Sequence, residues 1–147
     1  MAEPRLRYAL VAAVGRERGR DATAEALAYG WEHWSDLRAM TNPVGYLYRV
    51  GRSRARTRRH RIDFNSAEMH GVADAVSSRI PEFEPGLPDA LAHLSERQRI
   101  AVFMVYGMEW TRQDVADLLG ISVNSVGSHL DRGLAKLRKR LGVSIDE

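Results

Sequence analysis

Apolar residues recur at helical spacing through most of the chain. Leu6, Leu10, Ala13 and Val14 predict a first helix over roughly residues 5–14. Gly15 and Gly19 then bracket a charged turn, and Asp21 is the expected N-cap of a second helix over 22–34, with Leu27, Trp31 and Trp34 on one face. Asn42-Pro43 places a capping residue before a proline at the first helical position, so a third helix runs from 43 to about 61. Its apolar stripe is Leu47, Val50 and Ala55, with Tyr46 alongside. From 63 to 88 the periodicity stops, and Gly71, Ser77, Ser78, Pro81, Pro85, Gly86 and Pro88 mark a flexible linker with at most a short helix over 72–76. Structure resumes with Ala90, Leu91 and Leu94. Ser95 with Gln98 forms a capping box ahead of the apolar run 100–103, and Gly107 closes that helix. Thr111 with Asp114 repeats the box, Val115, Leu118 and Leu119 form an apolar face, and Gly120 is the expected left-handed stop. Ser122 or Asn124 caps a last helix whose inner face is Val126, Leu130, Leu134, Leu137 and Leu141. The pattern predicts an all-α chain: two small helical domains, 1–62 and 89–142, joined by the linker 63–88.

Two helices separated by Gly120-Ile121-Ser122 have the short glycine-containing turn of a helix-turn-helix. Ala116 is small where the helices must approach, Ile121 can plug the core from the turn, and Val126 and Leu130 seat the second helix on the first. Asn124, Ser125, Gly127, Ser128 and His129 are left at the start of that helix, where a recognition helix presents residues to base edges in the major groove. Arg132 and Lys136 follow at helical spacing and are candidates for phosphate contacts, with Arg138, Lys139 and Arg140 beyond them. The blander alternative is a helical hairpin whose basic end complements the helix dipole.

Charge sharpens this reading. The net charge of +3 conceals thirteen arginines against six acids over residues 1–62, one arginine against five acids over 63–88, and a mildly basic 89–142. Arg49, Arg52, Arg54, Arg56, Arg58, Arg59 and Arg61 crowd the third helix. Like charges at i, i+4 destabilise an isolated helix by a few tenths of a kcal/mol each, on the order of 0.3, and a polyanion relieves that repulsion. Nucleic-acid contact by Arg49, Arg52, Arg56 and Arg59 is therefore expected, against the alternative of a solvated face. Of the nearby aromatics, Trp34 and Tyr46 read as core, and Tyr48 as the exposed candidate for stacking on an unpaired base. The absence of cysteine excludes disulfides and thiolate metal sites. No apolar run is long enough to span a membrane, and Met1 to Arg7 is polar and charged with no secretory signal pattern, which fits a cytoplasmic protein.

Residues 94–141, LSERQRIAVFMVYGMEWTRQDVADLLGISVNSVGSHLDRGLAKLRKRL, resemble region four of the sigma-70 family of RNA polymerase sigma factors, in particular the extracytoplasmic-function branch. Upstream, NPVGYLYRVGRSRARTRRHR resembles the end of region two, and DATAEALAYGWEHW aligns with the preceding core-binding helix. The resemblance implies promoter DNA and core RNA polymerase as partners. Region two would capture a melted minus-ten base, using Tyr48 and the arginines, and region four would read the minus-thirty-five element. It also implies an anti-sigma factor as a further partner, for which Tyr106, Met108 and Trp110 offer an apolar stretch that could equally be core. Polymerase contact would fall to Asp21, Leu27, Ala28 and Trp31. No catalytic residue, metal or cofactor is implied. The chain departs from the family pattern in three ways. Leu27 and Ala28 stand where a Gln-Glu pair is usual, Ala24 replaces an acid, and Gly127 and His129 stand at commonly basic places of the recognition helix.

Two other readings compete. The segment SVNSVGSHLDRGLAKL also resembles the recognition helix of LuxR-type regulators, which makes a stand-alone regulator, or a sigma-derived regulator with weakened core binding, the alternative to a working sigma factor. A small nuclease using His60 or His70 is disfavoured, because the five histidines show no metal-ligand spacing with each other or with acids.

Overall fold

The computed structural model describes residues 2–58 and 86–142. These residues form helices α1 (Ala2–Val14), α2 (Arg16–Glu32), the single turn α3 (Trp34–Leu37), α4 (Pro43–Arg58), α5 (Leu87–Ala92), α6 (Glu96–Val102), α7 (Arg112–Leu119) and α8 (Val123–Leu141). A wider, π-helical turn over Phe103–Gly107 continues α6. Among the described residues there is no strand, and no helix is long and apolar enough to cross a membrane. The expected helix over 72–76, most of the 63–88 connector, Arg59 and the histidines at 60 and 70 lie outside the described residues.

The first helix is central to the packing. Leu6 and every residue from Ala9 to Val14 are buried, because α1 packs against α2, α4 and α6. A helical stretch apolar all round, as residues 9–14 are, is one enclosed by neighbours, so the two groups of helices share the end of α1 as a common core.

Two expectations for the segment after α1 are corrected. Residues 15–19 are not a charged turn, and Asp21 is not an N-cap. Gly15, at φ 100°, breaks the chain between the helices and stands as the N-cap of α2, without a side-chain cap. Gly19 lies inside α2, where a Cβ would come 2.5 Å from the Val11 Cα. The crossing of α1 and α2 is too close for any other residue, so that glycine serves packing rather than a turn.

The C-terminal elements follow their caps. Ser95 and Gln98 form a reciprocal capping box on α6, as do Thr111 and Asp114 on α7. Gly120 closes α7 in the left-handed conformation at φ 69°, and Ser122, not Asn124, caps α8 by accepting from the Ser125 N–H. On α4, the Gly45 N–H donates to Asn42 Oδ1 at 3.0 Å.

Candidate nucleic-acid interface

Helices α7 and α8, joined through Gly120-Ile121-Ser122, make the helix-turn-helix. Val115, Ala116, Leu118, Val126 and Leu130 are all buried, α7 packing on α8 and α4, and α8 packing also on α6. This leaves Asn124 and Ser128 exposed at the start of α8, with Ser125, Gly127 and His129 partly so. Ser125 is held within the cap, since Ser122 Oγ both accepts its N–H and donates to its Oγ, each at 3.0 Å. Arg132 is exposed one turn on. Lys136 is exposed as well, with Nζ donating to Gln98 Oε1 at 3.2 Å.

Cations converge on this face from outside α8. Arg112, at the start of α7, carries its Nη1 3.5 Å from where a Cβ on Gly127 would stand. Partial burial first, then the fields of Arg97 and Arg132, hold the His129 imidazolium below its ordinary range. Arg97 and Arg112 were not among the sequence-derived candidates. They lie 30 and 15 positions before Gly127 in the chain, so no spacing within one helix points to them.

The basic helix α4 is placed differently from expectation. Arg49 is exposed, and its Nη1 lies 3.3 Å from the Cβ position of Gly120 in the helix-turn-helix turn. Arg52 is engaged by Glu96 of α6, with Nε donating to Oε2 at 2.6 Å and Nη2 to Oε1 at 2.5 Å. That hydrogen bond raises the Arg52 pKa despite partial burial. Asn42 Nδ2 donates to the Asp117 carbonyl of α7 at 2.5 Å. Arg56 lies in α4.

The aromatic assignment is reversed. Tyr48, expected at the surface, is 4% exposed, and burial pushes its hydroxyl pKa up. Trp34, expected in the core, is 59% exposed, and Trp31 is 84% exposed. Helix α2 turns Asp21, Ala24, Ala28 and Trp31 outward on one side, because its buried side is the small-residue stripe Gly19, Ala22, Thr23, Ala26 and Gly30. Leu27 is partly buried against the core. Tyr46 is also partly buried, its hydroxyl 3.1 Å from that of Tyr29, which in turn stacks on His33. Met108 and Trp110 are buried, leaving Tyr106 as the exposed member of that apolar stretch.

Arg99 is the other residue that sequence reasoning missed. It is 3% exposed. Its Nε donates to the Ala12 carbonyl at 2.8 Å and its Nη2 to the Ala13 carbonyl at 3.1 Å, while Nη1 reaches the Leu94 carbonyl at 3.1 Å. A guanidinium from α6 thus caps the C-terminus of α1. The available signal was a cation followed directly by the apolar run 100–105.

Residues 86–137 match the family model described as Sigma-70, region 4. The RNA polymerase sigma factor FliA of Pseudomonas aeruginosa is 32% identical over 73 residues, which is 50% of this chain and 27% of that protein's length. The solved structure of the sigma factor RpoE in complex with the anti-sigma factor NepR, from Bartonella quintana, superposes with a TM-score of 0.62 over 98% of this chain and 94% of that one, at 18% identity. Over residues 86–137 the chain is similar to sigma-70 region 4, and it spans about a quarter of the length of the FliA relative that it matches.

The region 4 match begins at α5 and includes both capping boxes, the turn and the recognition helix through Leu137. At 18% identity, the likeness to the RpoE structure is one of fold, and it extends through the helices before residue 86. The region 4 match and the helix-turn-helix geometry therefore concern the same residues.

Proposed function

We propose that this chain is a sigma factor of the extracytoplasmic-function type, directing RNA polymerase to promoters at transcription initiation. The observation that carries the reading is the helix-turn-helix itself. Two consecutive side-chain-capped helices hinge on a left-handed Gly120 and expose Asn124 and Ser128, within the region 4 match. In this reading Asn124, Ser125, Gly127, Ser128 and His129 face the minus-thirty-five element, while Arg132 and Lys136 hold phosphates. Arg49, Arg52, Arg56 and Arg59 serve the minus-ten region. The outward side of α2, with Asp21, Ala28 and Trp31, meets core polymerase, and Leu27 lies at its margin. The polymerase supplies the chemistry, so the chain acts as a specificity subunit in the cytoplasm. An anti-sigma factor is a further partner in this proposal, as NepR is for the similar RpoE.

Reconstitution with core polymerase tests it. Transcription from a promoter library is expected only when the chain is added, with the chain co-purifying with core. Binding of duplex DNA by the chain alone, with no core association and no transcription, would overturn it in favour of a stand-alone regulator.

A second reading has its own support. Arg52 is paired with Glu96, Tyr48 is buried, and Leu27 and Ala28 stand where the family resemblance places a polar pair. These features suit a sigma-derived regulator with weakened core binding. Wild-type affinity for core that rises sharply in a Leu27→Gln, Ala28→Glu variant would favour it.

A further inference from the structure

Gly127 leaves the recognition helix without a side chain on the face flanked by Asn124 and Ser128, and a neighbouring helix occupies the space. Arg112 follows the Thr111 cap as the first residue of α7, and its Nη1 lies 3.5 Å from the Gly127 Cβ position. It is exposed, and among the described residues no carboxylate pairs with it. The two acids of α7 are engaged elsewhere. Asp114 accepts from Thr111 and faces Arg5, and Asp117 accepts from Gln113. Glycine within a helix is unfavourable relative to alanine, and Gly127 is only partly buried, so tight core packing does not account for it.

We propose that Arg112 is a specificity-determining residue of the DNA interface, reading a guanine edge through the gap that Gly127 leaves in the recognition helix. The planar fork of a guanidinium matches the O6 and N7 acceptors of guanine in the major groove. Its position against the first turns of α8 places it where base edges pass, unlike Arg132 and Lys136 farther along the helix. A side chain longer than alanine at 127 would take the place of the guanidinium. The cation missing from the recognition helix is thereby supplied from α7.

This inference rests on the reading of α7 and α8 as promoter-binding. The test is selection from a randomised minus-thirty-five duplex library by the full chain assembled with core polymerase. The parent is expected to select guanine at one position. Arg112→Ala should lose that preference by roughly 5- to 150-fold, the ratio equivalent to ~1–3 kcal/mol for a bidentate pair. Arg112→Lys keeps the charge but not the fork, and should restore overall affinity with a weakened guanine preference. Gly127→Gln should reproduce the change in preference, whereas Gly127→Ala, whose Cβ meets Nη1 at ordinary contact distance, should retain the parent's choice. Even weakening of all duplexes by Arg112→Ala, which is the signature of a phosphate contact, overturns the inference, as does an unchanged selection. A parent assembly that selects no sequence refutes the promoter-binding reading itself. A parent whose selection survives Arg112→Ala refutes only the inference.

Discussion

A guanidinium with 3% exposure must find its acceptors inside the protein, and Arg99 finds them at a helix C-terminus. The carbonyls of Ala12 and Ala13 have no partner within α1 because the helix stops at Gly15, and the negative end of the helix dipole favours a cation there. Burial nonetheless lowers the Arg99 pKa to about 10. The residue is still charged at neutral pH, and its worth depends on those three carbonyls. Arg99→Met should destabilise the fold by about 3 kcal/mol, read as a fall in urea midpoint at constant slope. No change in midpoint would mean that the carbonyls are satisfied another way. His129 carries a second residue-scale prediction. Its imidazolium is disfavoured by burial and by Arg97 and Arg132, so in the free chain it is neutral near pH 7. DNA phosphates would offset those arginines and raise its pKa, so binding takes up a proton. Affinity for promoter duplex should therefore rise as pH falls from neutral toward the lowered pKa of the free chain. The trend should vanish in His129→Gln, and an identical pH profile in that variant would place the titrating group elsewhere.

At the level of elements, short helices are defined by their ends. Helix α7 has eight residues, below the length at which an isolated helix is stable in water. It persists because Thr111 and Asp114 cap one end, Gly120 closes the other, and Val115 and Leu118 are buried. The Asp114 carboxyl is pushed up by partial burial, but hydrogen bonds from Thr111 and the nearby Arg5 outweigh this and hold it below the usual carboxylate range. Thr111→Ala and Ser122→Ala should each destabilise the chain by about 1 kcal/mol, measured by thermal or urea unfolding. The two caps belong to different helices, so their effects should add within about 0.5 kcal/mol. A double variant no less stable than either single one would show that the caps are not independent.

Across the whole molecule, the helices before residue 58 are tied to the sigma-70 region 4 module by polar contacts at several points. These are Arg99 on the end of α1, the Arg52–Glu96 pair, Asn42 on the Asp117 carbonyl, and Arg5 over the Trp110 ring at 4.7 Å. The arrangement engages Arg52, one of the arginines expected to hold phosphate. Replacing Glu96 with Ala should release that cation. Affinity for nucleic acid at low salt should rise, and the plot of log affinity against log salt should steepen by about 1. Fluorescence anisotropy over a salt series measures this. A slope equal to that of the wild type would mean that Arg52 does not reach phosphate even when freed.

Local chemistry determined most of the helix-turn-helix. Capping boxes, the turn glycine and a 3.6-residue apolar period act over a few residues, so Ser95, Thr111, Gly120, Val126 and Leu130 could be placed from the chain alone. The density of arginine on α4 was equally plain. What the sequence could not decide was which side of each helix meets another helix. Trp31 and Trp34 follow an apolar spacing, yet the small-residue stripe of α2 is the side that packs, so the tryptophans face outward and Tyr48 is drawn in. Gly19 has the look of a turn residue and is a helix crossing. Arg99 acquires its acceptors from residues 86 and 87 positions away, and Gly127 acquires a cation from another helix. Such pairings depend on how helices approach in space, and no period along one chain segment encodes them.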